Sequence, residues 1–180
     1  MSFRFYIIFH KFLTEIAYEK LNKMYLDLYC NFVAVNTSIR NKQVPDALKH
    51  LVFEERQLPN YNPFMQHNKF CESSVFFHVA NNPEILLDDH EFVGFLQYDM
   101  VLENSLFQTI EAAIKTLENP EKILFVHFAE NSRRHLDQAV GLDGWSVILD
   151  LYNRTFKTKH VMDDILNANL PLYHCYMIKR

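Results

Sequence analysis

Glycine is nearly missing from this chain, with 3 among 180 residues. Loops that wrap backbone around a phosphate need several residues at positive φ, so folds built on a Gly-rich phosphate loop are excluded. Cysteine is just as sparse. Cys30, Cys71 and Cys175 are odd in number and form no C-x-x-C pair. That is the pattern of buried thiols in a reducing compartment rather than of a disulfide framework, so a cytoplasmic protein is expected. The N-x-[ST] sequons at Asn36 and Asn153 then carry no weight. Long apolar runs are lacking too: the run Phe5 to Phe9 is far too short for a signal sequence or a membrane span. Basic charge is not in excess, with 18 Lys and Arg against 22 Asp and Glu and a net charge of −4. Without a basic stripe, nucleic acid is not an expected partner. A nucleotide remains an acceptable ligand if a divalent cation screens its phosphates. No Gly-x-Ser-x-Gly elbow or Cys/His signature points to a hydrolase.

Apolar and aromatic residues are abundant instead. Hydrophobic residues make up 49% of the chain and aromatics 14%, including 16 Phe and 9 Tyr. A length of 180 residues suits a single domain with one ring-rich core.

Short apolar runs alternate with helical patterns, the rhythm of a βαβ fold with a largely parallel sheet. Phe5 to Phe9 reads as the first strand, and Thr14 as the cap of a helix carrying Ile16, Ala17 and Leu21. Asn31 to Asn36 reads as the second strand. Residues 45–68, with three prolines and several Asn, read as a long loop over a site. A helix over about 70–80 precedes a third strand at Phe92 to Leu96. Leu106, Ile110, Ala113, Ile114 and Leu117 recur every three or four residues, giving a helix with one apolar face that Pro120 closes. Ile123 to Val126 reads as a fourth strand, residues 144–156 as a helix with a short one near Val161, and Leu172 to Ile178 as the last strand.

The chemistry concentrates in Glu91-Phe92-Val93-Gly94-Phe95-Leu96-Gln97-Tyr98-Asp99-Met100, where an apolar strand ends in polar residues. Ligands of parallel α/β sheets sit at the carboxyl ends of strands. In an extended segment Gln97 and Asp99 face the same way and address one ligand. A carboxylate there suits a hard cation such as Mg²⁺ or Mn²⁺ bridging diphosphate oxygens. The alternative is that Asp99 merely starts a turn.

This stretch resembles the GT-A, or nucleotide-diphospho-sugar transferase, fold, whose enzymes carry an apolar-apolar-Asp-x-Asp-apolar strand gripping ribose and metal. Gln97 stands where the first acid belongs, and Asp99 retains the second. The Val-Gly-Phe-x-Gln-Tyr-Asp-Met stretch is similar to glycosyltransferases of large algal viruses and to related bacterial polysaccharide-synthesis domains. The resemblance implies an α/β three-layer sandwich with a mostly parallel central sheet, a nucleoside-diphosphate-sugar donor (UDP-linked), a glycan acceptor and a metal at Asp99. If the chain is viral, its compartment would be the host-cell cytoplasm.

The resemblance also implies that loops after the first two strands hold base and ribose. Those positions are His10, Lys11 and Thr14, with Asn36 and Thr37, and Tyr98 lies beside Gln97 at the same end. His10 reads equally as a core histidine, and Asn36 as an Asx turn. Arg40, Lys42 and Arg56 are phosphate partners or solvated loop charges. On the acceptor side, His174 in the last strand and Asp143 before a helix are candidate catalytic groups; His174 reads equally as a partly buried histidine beside the sheet, and the sequence alone favours an N-cap for Asp143. His160 with Asp163 and Asp164 reads as a solvated face plus a cap. GT-A domains continue past their acceptor-side strand into a helix, and no periodic segment follows Ile178 here, so the expectation is either a fragment or a partner subunit or following domain against Tyr173, Tyr176 and Ile178. The rival reading is a non-catalytic α/β module that binds a nucleotide or a protein.

Overall fold

The computed structural model describes residues 2–13, 17–35, 43–66, 73–86, 90–116, 125–126, 129–131, 141–166, 169–171 and 176–179. The chain's contacts group into two units, Met1–Val126 with Tyr173–Arg180, and His127–Leu172.

The first unit is built on strands β1 (Phe3–Phe9), β2 (Cys30–Ala34), β3 (Val52–Glu54), β4 (Phe92–Gln97), β5 (Phe125–Val126) and a last strand at Tyr176–Lys179. The last of these is β8, since β6 (Ala129–Asn131) and β7 (Asn169–Pro171) belong to the second unit. The six strands lie in the order β3-β2-β1-β4-β8-β5. β3, β2, β1 and β4 are mutually parallel, and β8 runs antiparallel to both β4 and β5. The expected α/β sandwich with a largely parallel sheet is therefore present. Of the expected strands Ile123 to Val126 and Leu172 to Ile178, residues 123–124 and 172–175 lie outside the described residues.

Helices cover both faces, which is why β1 and β4 read as nearly unbroken apolar runs. Phe5, Ile7 and Phe9 pack with Phe32 and Leu96 against α1 (Lys23–Tyr29) and α4 (Asn104–Thr116), through Leu26, Phe107, Ile110 and Ile114. On the other face Tyr6, Ile8, Val33, Val93 and Phe95 meet Val75 and Val79 of α2 (Ser73–Ala80) and Leu86, which ends α3 (Pro83–Leu86). The Tyr6 hydroxyl, buried in that layer, donates to the Leu86 carbonyl.

Two sequence expectations change. The described helix after β1 starts at Lys23, because Asn22 supplies the cap: its Oδ1 accepts from the Met24 N–H at 2.9 Å. Ala17 and Leu21 are buried ahead of that helix instead of within it, and Thr14 and Ile16 lie outside the described residues. The supposed long loop also contains β3, paired with β2 from Phe32↔Val52 to Ala34↔Glu54, and 3₁₀ turns at Asp46–Leu51, Glu55–Gln57 and Pro63–Gln66.

The second unit pairs β6 (Ala129–Asn131) antiparallel with β7 (Asn169–Pro171) and carries α5 (Gly141–Phe156) and α6 (Met162–Leu166). Asn153 closes α5: its Oδ1 accepts from the His160 N–H at 3.0 Å and the Thr158 hydroxyl at 2.8 Å. Asp164 accepts from the Val161 N–H at 2.8 Å, capping α6 as read from the sequence, while His160 and Asp163 are exposed. Among the described residues no helix is long and apolar enough to cross a membrane.

Candidate functional site

The order of strands creates the site. From β1 the chain winds outward to β2 and β3, then returns across the sheet to lay β4 on the other side of β1. Loops leaving the carboxyl ends of β1 and β4 therefore diverge, and the crevice between them is where open α/β sheets bind ligands. Gln97 closes β4 in register with Ile8, and the Tyr98 N–H continues the ladder to the Ile8 carbonyl at 3.2 Å. On the opposite side of β1, the Val35 N–H donates to the Phe9 carbonyl at 3.1 Å, so β2 ends at the same rim.

Five expected site residues are thereby gathered. His10 and Lys11 leave β1, half-buried and exposed respectively, while Gln97, Tyr98 and Asp99 leave β4. Gln97 is half-buried and Asp99 exposed, as required of groups that meet a ligand. The extended alternation expected to carry through Asp99 does not hold. It stops at Gln97, because the Met100 N–H donates back to the Gln97 carbonyl at 3.3 Å and folds Tyr98-Asp99 into a turn. Asp99 is thus both a turn residue and an exposed carboxylate at the rim.

Two residues that the sequence did not single out complete this rim. Phe12, 40% exposed, meets the half-buried Tyr98 ring edge to face, with centroids 5.7 Å apart. It is held there because the loop after β1 is stitched to Gln43: Leu13 N–H donates to the Gln43 carbonyl at 2.8 Å, and Gln43 N–H to the Lys11 carbonyl at 3.0 Å. From beneath, the buried Tyr18 hydroxyl donates to the Tyr98 carbonyl at 2.8 Å. Burial first, then the charges of Cys30 and Asp99, raises the Tyr18 hydroxyl far above its ordinary range, so it stays a donor. An aromatic three residues past the strand end was a legible hint for Phe12. Nothing local marks Tyr18, whose partner is 80 positions away.

Other expectations fall elsewhere. Thr14, Asn36, Thr37 and His174 lie outside the described residues, as do Arg40, Lys42 and Tyr173 and the side chains of Asp143, Tyr176 and Ile178. Asp143 is the third residue of α5 and not the residue before it, because the helix already begins at Gly141; the N-cap reading is thereby removed. Arg56 lies 3.8 Å from buried Glu54, so its charge is engaged within the fold. Cys30 is a buried free thiol, as expected.

Among the described residues no three His, Cys, Asp or Glu side chains converge as a metal cage. At the rim one exposed carboxylate, Asp99, could serve as a single protein ligand to a cation that takes its other ligands from water or a bound phosphate, a common habit of Mg²⁺. A cavity of about 400 Å³ lies at the other end of β1, lined by Phe3, Tyr29, Glu111, Ile114 and Lys115. Its carboxylate is occupied by the Tyr29 hydroxyl at 2.6 Å. Burial and that bond push Tyr29 up to about 12. No family model, curated protein or solved structure matches the chain.

Proposed function

We propose that this chain is a GT-A-type glycosyltransferase, moving a sugar from a nucleoside-diphosphate donor, UDP-linked, to a glycan hydroxyl in the cytoplasm. The observation that carries the reading is the emergence of Gln97-Tyr98-Asp99 at the β1/β4 switch point, the segment whose sequence resembles that family. Asp99 would hold Mn²⁺ or Mg²⁺, which would supply charge stabilisation for a departing nucleoside diphosphate. Gln97 hydrogen-bonds a ribose hydroxyl but, as an amide, replaces an acid without its charge. Phe12 and Tyr98 offer ring surface to the base, with His10 and Lys11 at its edge and Thr14, Asn36 and Thr37 in the roles the resemblance gives them. Asp143 and His174 keep their acceptor-side roles only through that resemblance, and so does a partner domain or subunit against the last strand.

Calorimetry with UDP tests whether Asp99 binds a metal–nucleotide complex or serves only as a turn residue, and turnover of a UDP-sugar separates a transferase from a non-catalytic nucleotide-binding module. The wild type should bind UDP more tightly with Mn²⁺ than without it. Asp99→Ala should lose at least about tenfold in the presence of Mn²⁺, about 1.4 kcal/mol, while keeping its circular dichroism. A folded Asp99→Ala protein with undiminished affinity for UDP plus Mn²⁺ would refute the assignment.

A further inference from the structure

The segment after β3 is fastened to α2 through a cluster that plays no part in the proposed transfer. Glu55 and His78 are both fully buried, with Oε1 and Nδ1 2.6 Å apart. The backbone N–H of Asn62 donates to His78 Nε2 at 2.9 Å. A ring nitrogen that accepts from an N–H carries no hydrogen, so Nδ1 holds the imidazole's hydrogen and donates it to Glu55. One neutral tautomer is therefore fixed from both sides, with the Tyr61 ring stacked on it at 5.0 Å. Two residues earlier the same segment has a second anchor of different chemistry. The Asn60 N–H donates to Oδ1 of fully buried Asn82 at 3.0 Å, and the Asn82 Nδ2 donates to the His78 carbonyl at 2.8 Å.

We propose that His78 is a proton-operated latch on the segment after β3: a proton added at Nε2 sets N–H against N–H and releases Asn62 and the Pro63–Gln66 turn. Asn60 stays attached, because its acceptor is an amide that does not titrate. Among the described residues, the ionisable groups facing the ring are Glu55 and Tyr61, both from the segment itself. Glu54 and Arg56 flank them as a pair 3.8 Å apart. The Glu55 carboxylate can accept the Nδ1 hydrogen bond in either protonation state of the ring, whereas Nε2 can accept from Asn62 only in the neutral one. Acid thus leaves the Glu55 contact in place and breaks the Asn62 contact alone. The segment leaves the carboxyl end of β3 and is anchored on α2 and Asn82. This inference stands whether or not the chain transfers sugars.

Amide hydrogen exchange followed by NMR on the whole chain, read from about pH 8 down to about pH 5, tests it. After correction for intrinsic exchange, protection at Asn62 should fall towards tenfold per pH unit once the ring takes up protons, while protection at Asn60 stays constant. At the upper pH the ring ¹⁵N signals should show Nε2 without hydrogen. The His78→Gln variant keeps an acceptor that does not titrate, and its Asn62 protection should not change with pH. If that variant does not fold, the two wild-type amides still decide. Loss of protection at both amides together, retention at both, or a hydrogen on Nε2 at the upper pH would overturn the latch.

Discussion

Replacing Gly94 by alanine should destabilise the sheet, for a reason visible in one neighbouring ring. A Cβ at position 94 would lie 2.3 Å from Cε1 and 2.4 Å from Cδ1 of Phe5, the residue directly opposite it in the ladder. Phe5 is fully buried, and its ring stands edge-on to both Phe3 and Phe107, each 5.9 Å away. The ring cannot retreat without disturbing both. Overpacking of this kind costs about 1–3 kcal/mol. Removing a glycine from the unfolded ensemble returns about 0.4–1 kcal/mol, leaving a net loss of about 1–2 kcal/mol. In a chain of this size that lowers the melting temperature by about 2–8 °C. Phe5→Leu removes the outer ring atoms and opens a void, at about 1–2 kcal/mol on its own. The double variant should be more stable than the sum of the singles by at least about 0.5 kcal/mol, because each change removes the other's problem. Urea titrations of all four proteins, followed by circular dichroism at constant m, measure this. Additivity, or a neutral Gly94→Ala, would refute the packing account. The glycine of the Val-Gly-Phe stretch would then need a functional explanation. On the packing account, any affinity of the wild type for UDP should be kept by folded Gly94→Ala.

Two further outcomes follow from the same rim. The Tyr18 hydroxyl is raised by burial above its ordinary 10.0, so the folded chain keeps a proton that the unfolded chain gives up. Its contribution is fully present below about pH 10 and is lost above it by about 1.4 kcal/mol per pH unit. In denaturant titrations between about pH 10 and about pH 12, Tyr18→Phe should be less sensitive to rising pH by about one proton; an unchanged slope would contradict the burial. Phe12→Ala should weaken UDP binding by about 1–3 kcal/mol if the ring stacks on the base. Stability should change little, because the ring is 40% exposed. Unchanged affinity by calorimetry would remove Phe12 from the site.

The sequence expressed those parts of the fold that a continuous pattern encodes. β1, β2 and β4 are apolar runs because both their faces are covered, and α4 shows its buried Ile110 and Ile114 at helical spacing. β3 was hidden because three residues paired on one side leave no pattern distinct from a loop. The reversed direction of β8 was hidden because apolar runs carry no polarity. At the site, Gln97, Tyr98 and Asp99 were legible as a strand ending in polar groups, whereas the turn that redirects Asp99 rests on one backbone bond. The Tyr18–Tyr98 and Glu55–His78 contacts join residues 80 and 23 positions apart, beyond any local periodicity.

The place of β8 has a consequence for how the protein comes into being. This strand lies between β4 and β5, although both precede it in the chain. Gln97 and Tyr176 are 79 positions apart (176 − 97). At about 5–20 residues per second, a ribosome leaves the flank of β4 without its partner for roughly 4–16 seconds. During that interval β5 has no strand to join, since β8 is its neighbour in the sheet. The flank of β4 presents unpaired amides beside a buried apolar run, the kind of edge that recruits foreign strands. Vectorial synthesis thus finishes this sheet from the inside, and the newborn chain carries a transient open edge at the strand that bears the candidate site.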